Sequence, residues 1–139
     1  MISAVIDTNV LVSGLGWARS APAKVVEAMV AGRFLLVSSP SLMSELEKVL
    51  SYPKLVLAFP QPDTVVGLVR EIAVLVEPRR NLHVVPDEAD NRVLETAAEA
   101  TADFIVTGDR RLLVLEQYGT TLVVTPRPSW STWSRSPEK

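Results

Sequence analysis

The 139 residues include no cysteine. Disulfides, zinc–thiolate sites and cysteine nucleophiles are therefore excluded, and the composition fits a cytoplasmic setting. No apolar run is long enough to span a membrane, so no membrane partner is expected. The start, Met1-Ile2-Ser3-Ala4-Val5-Ile6-Asp7, lacks the basic end and cleavage signal of a secretory peptide. An excess of charge is missing too: the formal net charge is -2. A broad basic surface for duplex DNA is not indicated, although a local basic strip is left open. The single histidine, His83, reads as structural, and there is no internal repeat.

What is present is a chain that is 47% hydrophobic, enough for one domain with a substantial core. Short apolar runs alternate with helical patterns. Ile2 to Ile6 reads as a strand buried on both faces and ends at the polar turn Asp7-Thr8-Asn9, where Asn9 can cap the next helix. Val10 to Ser13 starts a helical turn that Gly14 and Gly16 should loosen. Trp17 to Ser20 reads as an exposed loop, and Pro22 to Ala31 as a helix closed by Gly32. Phe34 to Val37 is a second strand. Ser39-Pro40 then opens a helix to Leu50, with Leu42, Leu46, Val49 and Leu50 on one face and Glu45 on its border. Residues 53–63 read as irregular, Asp63 to Val74 as a helix and Leu75-Val76 as a short strand. Arg79 to Pro86 reads as a linker, with a brief strand possible at His83 to Val85. Glu88 to Thr101 is a helix with Val93, Leu94, Ala97, Ala98 and Thr101 on one side and Glu95 and Glu99 pointing away. Phe104 to Thr107 is a strand, Arg110 to Glu116 a short helix, and Thr121 to Val124 a final strand. This alternation predicts a layered α/β fold with a mainly parallel sheet.

Four acids fall at equivalent places in that pattern. Asp7 and Asp109 follow buried strands, while Glu45 and Asp90 lie in early turns of helices, on or beside the inward face. A right-handed parallel fold would gather all four above the carboxyl edge of the sheet. Each like-charge pair at 4 Å costs about 1 kcal/mol in water and about 4 kcal/mol at an effective dielectric of 20. No lysine or histidine recurs there to offset this, so a hard divalent cation, Mg²⁺ or Mn²⁺, is the expected partner. Plainer readings exist for each acid. Asp7 and Asp109 can cap helices, Asp90 can be a first-turn charge, and Glu45 a solvated helix acid. The coincidence of four favours the metal site. Asp87 reads as a helix cap that can orient the site, and Asn9 and Thr107 as polar supports for the carboxylates. Arg110 and Arg111 can meet a phosphate backbone or simply end a helix in solvent. Trp17 can stack on a base or pack.

Four stretches carry a family resemblance. They are Val5-Ile6-Asp7-Thr8-Asn9-Val10-Leu11, Ser38 to Leu50 with Glu45-Leu46, Asp87-Glu88-Ala89-Asp90-Asn91, and Ala102 to Asp109. In this order they resemble a PIN domain, specifically the bacterial VapC-like toxins of toxin–antitoxin pairs. The resemblance runs from Met1 to about Arg127, giving a domain over 1–127 and an extension over 128–139 that carries serines, Trp130 and Trp133. It implies a three-layer α/β/α fold with a five-stranded parallel sheet and Mg²⁺- or Mn²⁺-dependent cleavage of RNA. It implies Asp7, Glu45, Asp90 and Asp109 as the acidic metal site, with Asn9 and Thr107 as polar support. A homodimer and an inhibiting protein antitoxin are the partners it implies. The stretch Arg127-Pro128-Ser129-Trp130 and the tryptophan-bearing tail depart from the family's pattern.

The expected function is therefore that of a metal-dependent endoribonuclease, with a non-catalytic RNA- or protein-binding module as the alternative. A phosphatase of the haloacid-dehalogenase type would need a second aspartate where Asn9 stands, and a lysine near the last acidic motif.

Overall fold

The computed structural model describes residues 1–127; the expected tail with Trp130 and Trp133 lies outside the described residues. Its centre is the apolar run β1 (Ser3–Ile6), whose alternate side chains face opposite ways. Ala4 and Ile6 join one hydrophobic cluster and Val5 the other. The same alternation recurs in β2 (Leu35–Ser38), with Leu36 and Val37, and in β4 (Phe104–Val106), with Ile105 and Val106. Strands buried on both faces need a helical layer on each side. One layer holds α1 (Thr8–Gly16), α2 (Ala21–Val30), α3 (Pro40–Leu50) and α4 (Pro62–Ile72); the other holds α5 (Glu88–Ala100) and α6 (Arg110–Leu113).

The sheet also contains β3 (Val74–Leu75), β5 (Gln117–Tyr118) and β6 (Thr121–Val124), in the order β3-β2-β1-β4-β6-β5. The five strands β3, β2, β1, β4 and β6 are parallel, as the sequence predicts. The sixth, β5, is antiparallel to β6 and departs from the five-stranded expectation. It exists because the helix after Asp109 stops at Leu113 rather than Glu116. Glu116 turns into a left-handed backbone (φ 61°), and its carbonyl accepts from Val123 N–H at 3.0 Å.

Other boundaries differ from the sequence pattern for physical reasons. Residues 8–16 form a full helix, so Gly14 does not loosen it. A Cβ at Gly14 would lie 2.5 Å from Pro22 O and from Val26 Cγ2, so glycine here admits close packing of α1 on α2. Asp7, not Asn9, holds the cap position of α1. The helix expected to reach Val74 ends at Ile72 because Val74 and Leu75 pair with Val37 and Ser38. Residues 83–85 form no strand; the amides of Val84 and Val85 donate instead to Asn91 Oδ1. Among the described residues no helix is long and apolar enough to cross a membrane.

Candidate active site

The chain leaves β1 towards β2 on one side, and β4 returns on the other. The gap above the carboxyl ends of β1 and β4 is therefore the point where the winding reverses, the place at which open parallel sheets leave a crevice. Asp7 and Thr107 are the next residues on these two strands, after the aligned pair Ile6 and Val106. Thr107 Oγ1 donates to Asp7 Oδ2 at 2.6 Å and accepts from Asp109 N–H at 3.0 Å. One buried hydroxyl thus orients the first acid and the turn that carries the last.

The helices bring the other acids. Ser39 caps α3 by accepting from Leu42 N–H, with Pro40 at the first helical position. Its second turn carries Glu45, whose Oε1 accepts from Thr8 Oγ1 at 3.1 Å. Asp87 caps α5 by accepting from Asp90 N–H at 3.2 Å. Asp90 is then buried on the inward side of the first turn. Asp109 caps the short α6, its Oδ1 accepting from Arg111 N–H at 2.8 Å. Asp7, Asn9, Val10, Ser13 and Asp109 line a cleft of about 330 Å³.

Burial and mutual repulsion dominate the electrostatics. Burial raises the Asp7 carboxyl above its ordinary value; the Thr107 hydrogen bond lowers it, and the Asp109 charge raises it again. Glu45 is raised by burial, with Thr8 opposing and Asp7 and Asp87 adding. Asp90 is pushed up to about 7, first by burial and then by the charge of Asp109, a hydrogen bond with that carboxyl, and the charges of Asp87 and Asp7. Asp109 moves the other way because the Arg111 side chain hydrogen-bonds to it.

Arg111 is the cation that composition did not reveal. Its guanidinium lies 3.1 Å from Asp109 Oδ2, 3.3 Å from Asp87 Oδ2 and 3.7 Å from Asp90 Oδ2. Among the described residues Asp90 Oδ2 nevertheless finds no hydrogen-bond partner. A buried carboxylate oxygen left in that state is costly, and a hard cation would satisfy it. An all-oxygen donor set suits Mg²⁺ or Mn²⁺. As the side chains stand, with Arg111 among them, no three acidic or histidine groups are arranged to hold a metal ion among the described residues. The fit therefore rests on donor chemistry and on the unsatisfied Asp90 oxygen.

Asp7 and Asp90 feel the charge of Asp109, and Asp90 that of Asp7 as well; Glu45 joins them through the charge of Asp7 acting on it and through Thr8. Asn9 is exposed on the cleft wall. Arg110 is exposed, whereas Arg111 turns back onto the acids. Trp17 packs edge-on against Phe59, with ring centroids 6.4 Å apart. Glu95, expected to point away, is buried: it accepts from Leu82 N–H at 2.8 Å and pairs with Arg92 at 2.7 Å. Thr8 is a contributor that the sequence pattern does not single out. Its signal is position alone, a hydroxyl directly after an acid at a strand end.

Residues 3–111 match the PIN domain family. An uncharacterized protein of Methanocaldococcus jannaschii is 30% identical over 117 residues, covering 82% of this chain and 75% of that protein. The fold is similar to a chain in the crystal structure of VapBC2 from Rickettsia felis bound to a DNA fragment from their promoter. That likeness has a TM-score of 0.62 at 11% identity and covers 89% of this chain and 98% of the other.

Proposed function

The chain belongs to the PIN domain family, and on that premise we propose that it is a divalent-metal-dependent endoribonuclease that hydrolyses RNA phosphodiester bonds. The observation that carries this reading is the Asp90 carboxylate. It is buried at the carboxyl edge of the sheet, it feels the charges of Asp109 and Asp7, and one of its oxygens has no hydrogen-bond donor among the described residues. Bound Mg²⁺ or Mn²⁺ would activate a water and stabilise the oxygens of the phosphoryl displacement. Asp7, Asp90 and Asp109 are assigned to holding the ion, with Glu45 completing the acidic set. Thr107 keeps one Asp7 oxygen engaged and so directs the other towards the cleft. Thr8 steers Glu45, Asn9 offers its amide at the cleft wall, and Asp87 fixes the first turn of α5 from which Asp90 projects.

The same reading takes the protein as the toxin of a toxin–antitoxin pair, homodimeric and cytoplasmic, with a protein antitoxin as partner. The similarity to a VapBC2 chain motivates the antitoxin, and the lack of cysteine fits the compartment.

The test is cleavage of a mixed structured and single-stranded RNA pool with Mn²⁺, Mg²⁺ or chelator, using wild type and Asp7→Asn. Cleavage should require metal and vanish in the variant, while its circular dichroism stays that of wild type. Full activity of Asp7→Asn would overturn the assignment. One observation favours a second reading: Arg111 already supplies positive charge among the acids, as a module that binds RNA or protein without turnover would tolerate. RNA binding with no metal-dependent cleavage would establish that reading instead.

A further inference from the structure

The acid-lined cleft opens onto a second, larger one of about 810 Å³, and the two share Pro22, Gly108 and Pro126 as walls. The character of the second cleft is opposite. It carries Arg19, Lys24 and Arg127, all exposed, and among the described residues no carboxylate lines it. Arg19 and Lys24, like Lys54, Arg70 and Arg110, have no ion-pair partner among the described residues; what sets these two apart is that they share one cleft adjoining the acids. In a chain of net charge -2, two cations placed together beside an acidic cluster make a local positive surface that an anion from outside can use.

The local structure keeps them there. Ser20 Oγ donates to Trp17 O at 2.8 Å and accepts from Ala23 N–H at 3.1 Å, closing the turn that holds Arg19 in a left-handed backbone (φ 71°). Lys24 comes one turn later on α2, whose N-terminus faces the same cleft through Ser20 and Ala21 and adds its partial positive charge. Between the two clefts Gly108 keeps the wall low; a Cβ there would meet nothing within 4 Å.

We propose that this groove, through Arg19 and Lys24, binds the phosphate backbone of a single-stranded nucleic acid and leads it over Gly108 to Asp7 and Asp109. The proposal deepens the nuclease reading and rests on it for the chemistry at the acids. Binding itself does not depend on turnover. A track with few cations suits one flexible strand, not the broad face of a duplex. No aromatic residue lines the groove among the described residues, so it recognises phosphates rather than stacked bases. It therefore differs from the Arg110, Arg111 and Trp17 surface that the sequence suggested.

The test is fluorescence anisotropy of a labelled 12-nucleotide oligouridylate in chelator, across a range of KCl concentrations. Wild type, Arg19→Ala, Lys24→Ala, the double variant and Arg70→Ala are compared; Arg70 is an exposed arginine on α4. Each single substitution should lower the salt slope by about 0.7, and the double by about 1.4, the value for single-strand phosphate contacts. Arg70→Ala should keep the wild-type slope. Melting curves should be the same throughout, because both groove side chains are exposed. No binding by wild type, or a double variant with the wild-type slope, would overturn the proposal. So would an oligo-aspartate of equal charge that binds as tightly with the same dependence on Arg19 and Lys24, since the occupant would then be an acidic peptide. Binding with the predicted slopes but no metal-dependent cleavage would refute the nuclease reading and leave the groove standing. Cleavage whose KM is indifferent to Arg19 and Lys24 would do the reverse.

Discussion

Asp90 concentrates the physics of the site in one residue. Without a bound cation it is raised from 3.8 to about 7 because burial and the nearby acids disfavour its charge. The folded chain then keeps a proton that the unfolded chain releases above the ordinary carboxylate value. Its contribution to stability is full below that value and is lost as pH rises towards 7. Asp7, also raised, acts in the same direction. Asp109, held down by Arg111, works oppositely: its contribution is present above the ordinary value and lost as pH falls. Asp90→Asn removes the largest of the penalties at high pH. In chelator at pH 8 the variant should melt above wild type, and at pH 4 the two should converge; Mn²⁺ should raise the wild-type Tm more than that of the variant. An Asp90→Asn protein that melts below wild type at pH 8 would mean that Asp90 is charged and satisfied.

At the scale of elements, the site depends on how the segment before α5 is tied to that helix. Asn91, fully buried, accepts from Val84 N–H at 2.9 Å and Val85 N–H at 3.1 Å, and donates to Val85 O at 2.8 Å. Glu95 holds Leu82 and Glu99 holds Arg79 in the same manner. Three side chains spaced four residues apart thus fasten the irregular segment 79–85 along one helix and deliver Asp87 to its cap. Asn91→Ala should cost about 2 kcal/mol through lost and unsatisfied hydrogen bonds, a Tm lower by roughly 7 °C for a domain of this size. Thermal unfolding checks it, and an unchanged Tm would show that water replaces the side chain without loss. This fastening explains why helical periodicity misassigns Glu95 to solvent. The period locates the face towards the sheet, but it does not register a loop laid over the flank.

For the whole molecule, the parallel sheet and its acidic edge were legible because each is written locally. Val5-Ile6-Asp7 and Ile105-Val106-Thr107-Gly108-Asp109 place acids after buried strands, and parallel topology brings such ends together. The rest was illegible because it is made by distant segments. Whether Arg111 faces solvent or the acids depends on where α5 lies. The basic groove joins residues 19–24, 108 and 125–127. Gly14 is needed by a helix eight residues further on. The two-residue β5 is too short to have a period.

On the proposed reading, this topology assembles Asp7, Asp90 and Asp109 into one cation site, with Arg111 as its counter-charge when no ion is bound. Calorimetric titration of Mn²⁺ into wild type, Asp7→Asn and Arg111→Ala tests it most directly. Wild type should bind saturably and Asp7→Asn at least tenfold more weakly. Arg111→Ala should bind about fivefold more tightly, a gain near 1 kcal/mol once solvent screening of a half-exposed guanidinium is allowed for. Mn²⁺ binding that is absent from wild type, or equal in all three proteins, would contradict that assembly.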